Sequence, residues 1–409
     1  MLKITFLGAG STVFARNVLG DVMCTPALQQ CEIALYDIDP VRLDESYRIL
    51  SVINHNINED RAVIKTYLGV ENRKEALRAA KFVVNAIQIG GYEPCTVIDF
   101  EIPKKYGLKQ TIADTLGIGG IMRALRTIPV MEDFAHDMEE VCPDCLFLNY
   151  TNPMAMLSGY IQRYTGVNTV GLCHSVQVCS EHLLKSLGME DKLYGRREKI
   201  AGINHMAWLL EIRDKDGNDL YPEIKRRAFD PAYNTEMQDL VRLELMRQFG
   251  YYVTESSEHS SEYTPWFIKD KYPELIDRYK IPLDEYPRRC INQINGWNEM
   301  RASLLNEAKI EHKKTHEFAS YIIKAAMFDE PYRIYGNVLN TGLITNLPQN
   351  CCVEVPVMVD RNGFNPCYVG DLPEQCAALN RTNINVQLLT IKAAETLKKE
   401  YIYMAAMLD

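Results

Sequence analysis

The sequence predicts an α/β protein: an N-terminal Rossmann-like, doubly wound parallel sheet followed by a C-terminal mixed α+β lobe. Three observations predict it. Short apolar runs alternate with longer amphipathic stretches through the first half, as parallel strands and crossover helices do. The runs are apolar throughout, which suits strands covered on both faces. The first run ends in a glycine turn that opens a helix, "ITFLGAGSTVF". At 409 residues the chain exceeds what one hydrophobic core usually supports. The pattern changes near residue 200, so two units are expected, 1–195 and 196–409.

The predicted strands are "KITFLGAG", "CEIALYDID", "AVIKTYLG", "KFVVNAIQIGG", "CLFLNYTNP" and "NTVGLCHS". Helical stretches at 41–57, 73–80 and 120–140 lie between them. Beyond residue 200, "KIAGINHMAWLLEIRDKDGNDLYPEI" predicts a hairpin turning at "DKDGND", because two apolar runs flank a glycine-containing polar turn. A second hairpin is expected around "VDRNGFNP", and the tail from Asn383 reads as one helix.

The apolar fraction of 47% and charged fraction of 24% are those of an ordinary globular enzyme. A net charge of −9 argues against nucleic acid or an anionic membrane surface as partner. No stretch has the apolar length of a membrane span, and "MLKITFLGAG" reads as a first strand, not a signal peptide. The twelve cysteines are therefore expected to be reduced thiols in the cytoplasm. "CPDC" (Cys142, Cys145) has a redox spacing but stands before a buried strand, where two incidental thiols explain it better.

Gly8 and Gly10 permit a tight turn and close approach of a pyrophosphate, and Ser11 and Thr12 open a helix whose free N–H groups face it. Val13 stands where the fingerprint has its third glycine. The second strand ends "LYDID", placing Asp37 or Asp39 to accept from ribose hydroxyls; a carboxylate there repels a 2′-phosphate, so NAD is expected rather than NADP. Gln88, Gly90 and Gly91 form a further turn at a strand end.

Other polar groups also fall at strand ends, where open α/β sheets bind ligands. They are Asn149 and Asn152 of "NYTNP" and Cys173 and His174 of "GLCHS"; downstream, "AGINHMAW" presents His205. Cys173 and His205 either converge on one divalent ion or are a buried thiol and a hydrogen-bonded histidine. "ESSEHSSEYTPWF" gathers Glu255, Glu258, His259, Glu262 and Tyr263, which is either a solvated loop or an acid–base group. Asp114, before a glycine-rich helix start, reads as an anion-binding turn or a cap.

"ITFLGAGSTVF", "QIGGYEPCTV", "QTIADTLGIGGIMRALRTIP", "NYTNPMAM", "GLCHSVQ", "AGINHMA", "VTESSEHSSEYTPWFIK" and "NLPQNCCVEVP" resemble the melibiase-type α-galactosidases of glycoside hydrolase family 4 along essentially the whole chain. The family is an NAD-dependent exception among glycosidases. The resemblance implies NAD, a divalent cation (usually Mn²⁺) and α-galactosides such as melibiose or raffinose as substrates. It implies oxidation at C3 of the sugar, loss of the acidified C2 proton, elimination, water addition and re-reduction. By motif, Cys173 and His205 become metal ligands and Asn152 a substrate contact. Tyr263 is the first choice of base, with Glu258 and His259 as alternatives. His174 follows the metal cysteine where some relatives have an aspartate acid, and Arg288 or Arg289 of "YPRR" meets the sugar. Relatives form dimers or tetramers and continue past "AAMLD", so the C-terminal packing is expected to differ. Two other readings fit the N-terminal half: a plain NAD-dependent dehydrogenase of a sugar or hydroxy acid, which accumulates NADH, and a non-catalytic NAD sensor. Galactose itself rests on the motif wording, with α-glucosides and galacturonides as the alternatives.

Overall fold

A computed structural model describes residues 1–234, 238–306 and 310–409. The six predicted runs form strands β1 (Leu2–Leu7), β2 (Cys31–Asp37), β3 (Val63–Leu68), β4 (Phe82–Asn85), β5 (Leu146–Asn149) and β6 (Asn168–Gly171). They pair in parallel in the order β3-β2-β1-β4-β5-β6. That is the order of a doubly wound dinucleotide-binding sheet, in which the crevice opens where the order reverses, between β1 and β4. Ile4, Phe6, Ile33, Leu35, Val83 and Phe147 are wholly buried. Each such side chain is worth about 1.5–3 kcal/mol removed from water, which is why these strands are rich in apolar residues. The edge strand β3 departs from this: none of its residues is fully buried, and Lys65 reaches Glu32 on β2.

The sheet does not stop at β6. It continues antiparallel through β10 (Tyr332–Leu339), β11 (Cys352–Asp360), β7 (Arg197–Ile203), β8 (Met206–Arg213) and β9 (Tyr252–Val253), with β12 (Gly363–Pro366) paired to β11, making twelve strands. Two late strands, β10 and β11, are thus inserted between β6 and β7.

The hairpin after residue 196 exists, but its turn is not "DKDGND". β7 and β8 close with Ile203 opposite Met206, so Asn204 and His205 form the turn. His205 takes φ +64° there, a left-handed conformation that histidine tolerates better than most residues. "DKDGND" instead ends β8: the Asp214 carboxylate accepts from the N–H groups of Asp216 and Asn218 and from the Asn218 side chain, an Asx loop closed by a bridge between Arg213 and Asp219. The tail is also corrected. Its helix begins earlier, at Glu374–Thr396, breaks where Leu397 takes φ +57°, and resumes as Lys399–Leu408. The second hairpin is as expected, β11 turning into β12 with Asp360 opposite Gly363. Among the described residues no helix is long and apolar enough to cross a membrane.

Candidate active site

The glycine turn after β1 is pressed between β2 and β4. Gly8 takes φ +81°, and a Cβ there would stand 2.8 Å from the Ala86 carbonyl oxygen; at Gly10 a Cβ would stand 2.8 Å from Asp37 Oδ2. The Gly10 N–H donates to Asp37 Oδ2 at 2.6 Å and the Asp39 N–H to Asp37 Oδ1 at 2.9 Å. Asp39 turns the other way, capping the helix Pro40–Asn58 by accepting from the N–H groups of Val41 and Arg42. Asp37 is therefore the carboxylate that faces the glycine turn. Ser11 is the N-cap residue of the helix Thr12–Cys24, yet its hydroxyl caps nothing: Oγ is buried and without a partner. An orphaned hydroxyl at a helix N-terminus behind a glycine turn fits a phosphate. Thr12 Oγ1 donates to the Gly10 carbonyl at 3.3 Å. Val13 is 43% exposed, so close packing on the sheet demands no glycine there. Gln88, beyond β4, donates to Thr96 Oγ1 at 3.2 Å.

Beyond the carboxyl end of β6, the donor atoms of Cys173, His205 and Glu255 lie within 4.8 Å of one another. Cys173 follows β6 as the N-cap of the helix His174–Ser186, and His205 is the hairpin turn. Glu255 arrives from the segment after β9; its Oε2 is 3.9 Å from Cys173 Sγ and 3.4 Å from His205 Nε2, and it accepts from Ser175. The tautomer of His205 follows from its neighbours. Thr115 donates its hydroxyl proton to Asp114 Oδ1 at 2.8 Å. Its oxygen, 2.8 Å from His205 Nδ1, must then accept from Nδ1–H, leaving the Nε2 lone pair turned toward Glu255. The Tyr263 hydroxyl lies 3.1 Å from the same Nδ1.

A second group overlaps the first: Asp114, His205 and His259. His259 Nε2 is 3.6 Å from Asp114 Oδ1, and its Nδ1 is 3.6 Å from Glu255 Oε1. Burial alone would lower the His259 pKa, but the Glu255 and Asp114 carboxylates outweigh it and raise it to about 9. Burial alone would raise Glu255, but the charges of His259 and His205 hold it at about 2. Asp114 is likewise held low against its burial, chiefly by His259. Burial lowers His205, and burial together with Glu255 pushes the Cys173 thiol up. Two carboxylates and a sulfur converge on two imidazoles, a buried set short of positive charge. Thiolate, imidazole and carboxylate together suit a divalent transition ion.

Asn152 donates to Asp114 Oδ2 at 3.0 Å, and its own Oδ1 is buried without a partner. Beside it stands Arg123, whose Nε donates to the Asn152 carbonyl at 3.2 Å and whose Nη1 donates to the Tyr286 hydroxyl at 3.3 Å. Arg288 and Arg289 point elsewhere: both are about half exposed and paired with Glu285, and Arg289 also reaches Glu258 at 3.3 Å. His174 turns from the cysteine toward Glu317 at 2.8 Å, ringed by Phe14, Tyr150 and Phe318. Asn149 is buried, accepting from Asn85 and donating to Ser158.

The sequence placed Glu255 only in a polar stretch and not beside Cys173 and His205, and gave no sign of Thr115 or Arg123. It also missed the support beneath them. The Glu262 carboxylate accepts from the successive N–H groups of Thr111, Ile112 and Ala113, at 2.8, 3.2 and 2.9 Å, and so pins the loop that carries Asp114 and Thr115. Asp114 caps no helix; the helix Gly117–Val141 begins at Leu116 without a side-chain cap.

The model of the family 4 glycosyl hydrolases matches residues 3–189, and that of their C-terminal domain matches residues 200–409. An α-galactosidase of Bacillus subtilis (strain 168) is 61% identical over 409 residues, spanning 100% of this chain and 93% of its own. An α-galactosidase of Rhizobium meliloti (strain 1021) is 34% identical over 420 residues, spanning 100% of this chain and 83% of its own. A 6-phospho-α-glucosidase from gut microorganisms, solved in complex with NAD and Mn²⁺, superposes with a TM-score of 0.78 at 19% identity, covering 100% of this chain and 93% of that one.

Proposed function

The chain belongs to glycoside hydrolase family 4, and from that premise we propose that it hydrolyses α-galactosides of the melibiose and raffinose type. The observation that carries the proposal is the meeting of His205 and Glu255 with Cys173, which follows β6 at the same carboxyl edge of the parallel strands as the glycine turn after β1. The full-length likeness to α-galactosidases supports galactose as the sugar.

When bound, NAD⁺ supplies a reversible acceptor for the C3 hydride, which acidifies the neighbouring C2 hydrogen, and a divalent cation supplies positive charge for the oxygens around it. The chain does the rest. Gly8, Gly10, Ser11 and Thr12 form the phosphate cradle, Asp37 takes ribose hydroxyls, and Gln88 borders the cofactor crevice. Cys173, His205 and Glu255 hold the cation, with Thr115 fixing the imidazole. Asn152, with its unpartnered Oδ1, and Arg123 are placed to meet sugar hydroxyls. In the metal-free chain Glu255 and Asp114 raise His259 to about 9 and keep it protonated, and Glu258 pairs with Arg289. Tyr263 remains the proton acceptor at C2. His174, oriented by Glu317, is the candidate donor to the leaving group. Residues 1–195 hold the cofactor and also bring Arg123, Asn152, Cys173 and His174 to the substrate, and residues 196–409 add His205, Glu255, His259 and Tyr263. Assembly into a homodimer or homotetramer is part of the proposal, supported by the exposed Met404, Met407 and Leu408 on the last helix, as is a cytoplasmic setting, supported by twelve unpaired thiols.

Nitrophenyl α-galactoside assayed against the α-glucoside and the galacturonide tests the proposal. Release from the galactoside without accumulation of NADH is expected; stoichiometric NADH would point to a dehydrogenase. In D₂O the released galactose should carry deuterium at C2, and its absence excludes the elimination route. Dialysis against a chelator with mild peroxide should abolish turnover, and Mn²⁺ with a thiol reductant should restore it, because a thiolate ligand is also the oxidisable form. Asp37→Ala should weaken NAD binding about 10- to 100-fold, the worth of hydrogen bonds to a charged group; unchanged affinity removes Asp37 from the cradle.

A further inference from the structure

The two loops that present Cys173 and His205 start from strands that are not neighbours. β10 and β11 lie between β6 and β7. One rung crosses all four: Gly171 is opposite Asn337, Asn337 opposite Glu354, and Glu354 opposite Gly202. Gly171 comes two residues before Cys173, and Gly202 three before His205. At about 4.8 Å per strand the rung spans roughly 14 Å, and the chain leaves it toward Cys173 and toward His205 in opposite strand directions, yet the ligand atoms approach within 4.8 Å.

The middle of the rung is polar and wholly enclosed: Asn337 is 0% and Glu354 1% exposed. Asn337 Nδ2 donates to Glu354 Oε1 at 2.9 Å and to the Gly171 carbonyl at 3.3 Å. Gly171 leaves room for this, since a Cβ there would stand 2.9 Å from Asn337 Cβ. Glu354 Oε2 and Asn337 Oδ1 are buried without partners, as are both amide atoms of Asn204, the residue before His205. Burial pushes the Glu354 carboxyl up to about 8, against the hydrogen bond from Asn337. An apolar pair of the same volume would stabilise such a position as well or better, so stability does not account for a glutamate in mid-sheet.

We infer that the Asn337–Glu354 bridge sets the separation of the Cys173 and His205 loops, and that Glu354 is a positioning residue for the divalent cation. It touches neither ion nor sugar. Asn337 holds the carbonyl that leads into the cysteine, and Glu354 stands in register with the strand that leads into the histidine turn. The inference rests on the cation site of the proposed function.

The test is Mn²⁺ binding to the full-length chain, read from the electron paramagnetic resonance signal of the free ion, beside NAD binding and circular dichroism. Glu354→Met keeps the volume and removes both oxygens. It should weaken Mn²⁺ about 10- to 100-fold, the usual effect of losing an outer-sphere support, and leave NAD affinity unchanged. Glu354→Gln keeps the acceptor for Asn337 and should bind Mn²⁺ like the wild type. If Glu354→Met loses its circular dichroism, Asn337→Leu removes the other half of the bridge and should show the same loss of Mn²⁺ affinity. Wild-type Mn²⁺ affinity in a folded Glu354→Met or Asn337→Leu overturns the inference, as does equal weakening of NAD and Mn²⁺. Cys173→Ser separates the premise: if it binds Mn²⁺ as the wild type does, the cation site itself fails and takes this inference with it.

Discussion

Tyr263→Phe is expected to lower kcat about 10²- to 10⁴-fold, the span of a lost general base, with Mn²⁺ affinity and fold intact. The ring is 6% exposed and lies nearly parallel to His205, at 6.4 Å and 12°. Phenylalanine keeps that packing, and Thr115 still holds Nδ1 at 2.8 Å. Only the hydroxyl is lost. Burial, then the charges of Asp114 and Glu262, push the phenol up, so its proton can leave only when positive charge enters the site, which ties its action to the loaded enzyme. Turnover within tenfold of the wild type would remove Tyr263 from the role. Deuterium uptake at C2 adds a second check: the variant should lose exchange and turnover together.

Glu255→Gln should have the second large effect, on both affinity and stability. It removes a charged ligand, so Mn²⁺ should bind about 100-fold or more weakly. It also takes a carboxylate from beside a buried imidazolium, which should destabilise the metal-free chain by about 3 kcal/mol. The pH dependence has a definite sign. His259 is raised from 6.5 to about 9, so its contribution is complete below pH 6.5 and is lost as pH rises through 9. Glu255 is lowered from 4.5 to about 2, so its contribution is complete above pH 4.5 and is lost as pH falls through 2. The stability difference between wild type and variant should therefore be widest between pH 4.5 and 6.5 and narrow on either side. Urea titrations of the metal-free proteins across that range check it, and a difference independent of pH would contradict the assignment.

The sheet was legible where burial leaves a local mark. β1, β2, β4, β5 and β6 are mostly buried, so each carries buried apolar side chains within a short stretch, and the glycines after β1 mark a place where backbone meets backbone. Asp37 could not be told from Asp39, because only the fold shows one facing the glycine turn and the other capping a helix. The misplaced hairpin has a similar cause. "DKDGND" has turn chemistry, and it does turn, but as an Asx loop that ends β8; the tight reversal falls on Asn204 and His205, which carry no glycine to mark it. Cys173 and His205 were readable as two unconnected residues, whereas Glu255, which meets them in the fold, was hidden in a charged stretch whose ordinary fate is solvent. Arg123 was hidden in a helix among apolar neighbours, while "YPRR" advertised two arginines that the fold pairs with Glu285. Register between strands distant in sequence brings these groups together, and no window of sequence contains it.

One continuous sheet links the glycine cradle to the cysteine–histidine pair. A hinge between the halves would have to break the pairings that join β6 to β10 and β11 to β7, Gly171 with Asn337 and Gly202 with Glu354. Calorimetry should accordingly record a single endotherm, whose midpoint both NAD and manganese raise.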